Sequence, residues 1–223
     1  VPEGPYENMW GLFLGVSEYE NISDLENPTN DAEKLAETMQ KHCGLREPLV
    51  LLDQNVTREK IKEALTTIGR KASAKDLVVL HFSGHGIGVR DEATSEMRGL
   101  LMLHDAPPVE DLLKGERDGV LDMALLDKLI QSAGIKAKHR FYALDCCFSG
   151  FGASPVYDYG TRGINRKSLA AEKWLSKNAS YVMTAGDAGQ EVLDISADFE
   201  GHGLLTGFLI QSIQEPELFN FVP

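Results

Sequence analysis

Apolar residues along this chain fall into short dense runs separated by amphipathic stretches. Residues 9–16 (MWGLFLGV), 49–53 (LVLLD), 77–82 (LVVLHF), 140–145 (RFYALD) and 179–185 (ASYVMTA) are rich in large apolar side chains. Runs of that length, bounded by polar turns, predict strands buried on both faces. Residues 31–43 (DAEKLAETMQKHC), 58–72, 121–133 and 203–214 (GLLTGFLIQSIQ) repeat apolar positions at helical spacing and predict helices. Asn30, with Glu33 three residues on, and Thr57 stand where N-caps are wanted, and Gly44 where a helix should stop. Residues 99–103 (GLLML) predict a short strand inside a longer polar excursion, and residues 150–168, without periodicity, a long loop. Strands alternating with helices predict an α/β fold, a mostly parallel central sheet flanked by helices on both faces. Such sheets bind ligands beyond the carboxyl ends of their strands. Two of those ends read "FSGHG" and "DCCFSG".

Composition narrows the picture. The 223 residues, 43% hydrophobic, suit a single domain over 1–223. A net charge of −12 argues against nucleic acid or an anionic membrane surface as a direct partner. No apolar run reaches the roughly 18 residues of a membrane span. Cys43, Cys146 and Cys147 are odd in number, and two are neighbours. That argues against a disulfide framework and for a reducing, cytoplasmic location. The chain opens on Val1-Pro2-Glu3-Gly4 and closes on Phe221-Val222-Pro223, so a domain cut from a longer protein is expected.

Side chains alternate across a strand. If strand geometry persists to its tip, Asp145 and Cys147 face one way and Cys146 the other. At the neighbouring tip Ser83 and His85 share a face. A histidine and a cysteine at two such ends suffice for nucleophilic acyl transfer: the thiolate attacks and the imidazole shuttles protons. The N–H groups of Gly86 and Cys147 could then receive the developing oxyanion. Taken singly, a strand-end cysteine is more often a small buried hydrophobe, and a lone histidine a structural group. Zinc held by His81 or His85 with the cysteines is the weaker alternative, since there is no C-x-x-C and no H-E-x-x-H. No Gly-rich phosphate motif follows the first strand.

"HFSGHG", followed by "LDCCFSG" with Cys147 62 positions after His85, resembles the caspase-like cysteine peptidases, closest to bacterial caspase homologues and metacaspases. "LFLGVSEYE", "NPTNDAEKLAETM" and "GHGLLTGFLIQSI" agree, so the resemblance spans about residues 9–214. It implies a caspase–haemoglobinase fold, with a large-subunit-like part over 1–150, a loop over 151–172 and a small-subunit-like part over 173–223. By motif position the dyad is His85 and Cys147. The resemblance further implies a substrate pocket lined by Asp31, Ser83 and Asp145. Two carboxylates in one pocket select a protein or peptide substrate with a basic residue before the scissile bond, Arg ahead of Lys.

Several finer expectations follow. The family calcium site uses an acidic pair near the start of the third helix, where this chain has Asp122 followed by Met123. Calcium is therefore not expected to be required, although Asp105 and Asp122 are possible ligands. Arg162, Arg166 and Lys167, in the loop between the two subunit-like parts, are candidate self-cleavage sites. A regulatory domain or partner protein outside this chain, in bacterial signalling, defence or cell death, is implied by the resemblance alone. The alternative is a non-catalytic caspase-fold interaction module. The presence of both dyad residues favours the enzyme.

Overall fold

In the computed structural model, which describes residues 5–90, 97–146, 178–185, 199 and 201–215, the dense apolar runs are strands and the amphipathic stretches helices. The order is β1 Met9–Gly15, α1 Pro28–Cys43, β2 Leu45–Leu52, α2 Arg58–Lys71, β3 Leu77–Ser83, β4 Gly86–Arg90, β5 Met97–Met102, α3 Val109–Leu113, β6 Val120–Asp122, α4 Met123–Ser132, β7 His139–Asp145, β8 Ala179–Thr184 and α5 Leu204–Gln214. Five strands pair in parallel in the order β2-β1-β3-β7-β8. β4, β5 and β6 form a separate antiparallel sheet.

Period-two alternation splits the core into two layers. Phe13 and Val79 meet Leu35, Ala36 and Met39 of α1 and Ile210 of α5. On the opposite face Leu12, Leu14 and Leu80 meet Ile61 and Leu65 of α2 and Leu126 and Ile130 of α4. Each of the large apolar side chains among these, fully buried, contributes roughly 1.5–3 kcal/mol. The expected α/β sheet with helices on both faces is what these residues build.

Several boundaries differ from expectation, each for a local reason. α1 begins at Pro28, and Asn27 is its N-cap, so Asn30 lies inside the first turn rather than capping it. Proline at the first helical position carries the helical φ already. Gly44 ends α1 in the left-handed region at φ 76°, and β2 follows at once. The β1–β2 register slips between Trp10 and Leu12, opposite Pro48; a proline is tolerated because β2 is an edge strand. Among the described residues, the polar excursion after β3 holds three short strands and α3. Residues 121–133 divide at Asp122, whose carboxylate accepts from Leu125 N at 2.6 Å and caps α4.

Three strand tips meet at one edge, in the register Gly15–Ser83–Asp145. A side chain at Gly15 would collide with the Pro28 carbonyl. The missing side chain therefore lets the first turn of α1, with Asp31, come down on the ends of β1 and β3.

Candidate active site

The structure brings Asp31, Ser83 and Asp145 together at the strand tips. Asp31 is only 1% exposed, and its Oδ2 accepts from Ser83 Oγ at 2.8 Å. Asp145 stands beside Ser83 on the next strand, 6% exposed, and its Oδ2 accepts from Thr206 N at 2.7 Å. Burial pushes the Asp145 carboxyl above the usual carboxylate range. Hydrogen bonds from the Thr206 hydroxyl and backbone oppose that, and the Asp31 charge adds to it.

The start of α5 closes this cluster from above. Gly203 N donates to both Asp31 oxygens, at 3.2 and 3.2 Å. His202 Nδ1 lies 2.9 Å from Asp31 Oδ1. A Cβ on Gly203 would stand 2.6 Å from Asp145 Oδ2 and 3.0 Å from Asp31 Oδ2, so the bare Cα marks the gap between the two acids. Two carboxylates at a helix N-terminus also suit the helix dipole. Beneath them, His81 Nε2 is 3.0 Å from Thr206 Oγ1. The Thr206 hydroxyl spends its hydrogen on Asp145 and so accepts from His81 Nε2–H. Complete burial pushes the His81 pKa down to about 3 and keeps the ring neutral, with Nδ1 bare.

His85 is set by Gly84, whose φ of 155° is open to glycine and rare for other residues. Gly84 N still donates to Asp145 O at 3.3 Å, which ties the two tips together. His85 N donates to Tyr19 Oη at 2.7 Å, and the two rings lie 5.0 Å apart. His85 Nε2 is 2.9 Å from Ser23 O. A carbonyl only accepts, so Nε2 carries the hydrogen and Nδ1 is the basic nitrogen of the neutral ring. Gly86 opens β4 opposite Leu101.

Cys146 is 3% exposed in the α2–α4 layer, on the opposite side of β7 from Asp145, so alternation persists through it. Cys147, Arg162, Arg166 and Lys167 lie outside the described residues. Asp122 caps α4 and pairs with Arg98 at 3.9 Å, in a cavity of about 120 Å³ that Arg58 and Arg117 also line. Asp105 lines a different, more open depression with Asp111 and Asp118. Among the described residues no three His, Cys, Asp or Glu side chains are placed to hold a metal. Nor is any described helix long and apolar enough to cross a membrane.

Sequence reasoning missed His202, Gly203 and Thr206, and the supporting Tyr19 and Ser23. The available signal was a Gly-His-Gly stretch opening an apolar helix with a lone Thr inside it.

A family model described as "Caspase domain" matches residues 9–218. The chain belongs to the caspase-domain family. The family is one of cysteine-type peptidases, as the strand-tip motifs implied. Metacaspase-3 of Trypanosoma cruzi is 27% identical over 83% of this chain and 51% of its own length. Metacaspase-1A of Neurospora crassa is 26% identical over 85% of this chain and 44% of its own. The chain thus spans about half the length of the curated relatives it matches. A crystal structure of a Geobacter sulfurreducens protein superposes with a TM-score of 0.62, at 18% identity, over 94% of this chain and 83% of that one. That likeness concerns the fold alone.

Proposed function

We propose that this domain is a cysteine endopeptidase that cuts proteins after basic residues, Arg ahead of Lys, with His85 and Cys147 as its dyad. The observation that carries the reading is the meeting of Asp31, Ser83 and Asp145 at the strand tips next to His85. In this mechanism His85 Nδ1 takes the Cys147 thiol proton, and the thiolate attacks the scissile carbonyl carbon. The oxyanion falls to the N–H groups of Gly86 and Cys147. The imidazolium returns its proton to the leaving amine, which departs as the thioester forms. Water, deprotonated by the same nitrogen, attacks the thioester; the acid product leaves and the thiol is restored.

Selectivity comes from the acids. A basic side chain between Asp31 and Asp145 pairs with both, whereas a neutral or acidic one leaves buried carboxylates facing no cation. Calcium is not required in this scheme, because Asp122 already serves as the α4 cap. The protein works in the cytoplasm under a regulatory partner or domain, and its own loop at Arg162, Arg166 and Lys167 is one substrate. A panel of peptides differing only before the scissile bond tests the reading. Hydrolysis after Arg and Lys is expected, lost in Asp31→Asn and Asp145→Asn, with loop cuts seen by mass spectrometry in wild type but not in Cys147→Ala. A preference for Asp before the cut would refute the pocket.

A further inference from the structure

We propose that His202 is a positioning residue that sets the arginine preference of the pocket, an inference resting on the reading of Asp31 and Asp145 as the pair that receives the basic side chain. A carboxylate offers about four lone-pair sites. On Asp31, Ser83 Oγ takes Oδ2 at 2.8 Å, and Gly203 N is shared between the oxygens at 3.2 and 3.2 Å. His202 Nδ1 takes Oδ1 at 2.9 Å. The carboxylate accepts only, so Nδ1 carries the hydrogen. Asn30 Nδ2, 3.4 Å from the same nitrogen, donates to Gly201 O at 2.6 Å. The turn before α5 is thereby held to α1 on both sides, with the imidazole 16% exposed over a carboxylate that is 1% exposed.

Removing the imidazole leaves Oδ1 only the long contact shared with Gly203 N. The Asp31 carboxylate then turns about its Cβ–Cγ bond with Ser83 as its one short tether. That freedom affects the two basic side chains unequally. A guanidinium presents its donors in a rigid plane and needs Asp31 and Asp145 oriented together. An ammonium rotates three donors about its own axis and tolerates a turned acceptor. His202 therefore matters more for Arg than for Lys.

The test measures kcat/KM of the full-length protein on peptides differing only in Arg, Lys or a neutral residue before the scissile bond. Wild type is compared with His202→Ala, His202→Asn and His202→Gln. His202→Ala is expected to lose about tenfold or more on the Arg peptide, the scale of one hydrogen bond to a charged group, and much less on Lys. His202→Asn is expected to restore the Arg-to-Lys ratio, because its amide nitrogen stands where Nδ1 stood. His202→Gln, with its donor one bond further out, is expected not to. Equal losses on both basic peptides, an unchanged ratio, or a gain on Arg (which would make the ring a plug) each overturn the proposal. So does a folded Asn variant that fails to restore the ratio. If His202→Ala does not fold, the Asn-to-Gln contrast decides. Wild type that cuts the neutral peptide as well as the basic ones marks a failure of the pocket reading itself.

Discussion

Replacing Gly203 by alanine would put a methyl carbon 2.6 Å from Asp145 Oδ2 and 3.0 Å from Asp31 Oδ2. Two effects of opposite sign compete there. Gly203 has φ −64° and ψ 157°, values any residue adopts, so the backbone does not resist alanine. On that ground alone the substitution would stabilise by roughly 0.4–1 kcal/mol, through lost freedom in the unfolded chain. Sterics act the other way and are larger. Asp145 cannot retreat without losing the 2.7 Å bond from Thr206 N, nor Asp31 without losing Ser83 and His202. Overpacking of that kind costs about 1–3 kcal/mol. The expected net is destabilisation of about 1–2 kcal/mol, read as a lower urea midpoint at unchanged slope. In the proposed pocket the methyl also stands where the substrate cation would enter, so kcat/KM on Arg peptides should fall about tenfold or more, beyond what lost folding explains. A variant as stable as wild type, with undiminished kcat/KM for Arg peptides, would refute the placement of both carboxylates at Gly203.

The buried His81 predicts acid sensitivity. Its ordinary pKa is near 6.5 and its folded value about 3, so below about pH 6.5 the unfolded chain takes a proton that the folded ring refuses. Stability should then fall by about 1.4 kcal/mol per pH unit toward pH 4, relative to a His81→Gln variant that has no ring to protonate; the same pH slope in both proteins would contradict a neutral buried ring. Asp122→Ala should cost about 1 kcal/mol through the lost α4 cap, seen by thermal unfolding. Activity in EGTA should match that in added calcium, and complete loss in EGTA, restored by calcium, would contradict the calcium-free scheme.

Much of the sheet was legible because parallel strands are buried on both faces, so β1, β3 and β7 read as continuous apolar runs. β4 and β6 were not, since short strands carrying Gly86, Gly88 or a terminal Asp122 lack a period to detect. The start of α1 was misplaced because Pro28 sets the helical φ before the Asn30-to-Glu33 pattern begins. At the site, Asp31, Ser83, His85 and Asp145 were legible through motif and alternation. His202 and Gly203 were not, because their bonds to Asp31 join residues 171 and 172 positions apart, and no local pattern records such a contact. His81 lies within a core strand, and only the structure gives it Thr206 as a partner.

The dyad assignment is tested most directly by covalent labelling with an arginyl acyloxymethyl ketone, followed by mapping of the modified residue by mass spectrometry. A single adduct on Cys147 is expected, absent in Cys147→Ala, retained in Cys146→Ala, and strongly slowed in His85→Ala. An adduct on Cys146, or labelling that survives Cys147→Ala, would contradict it.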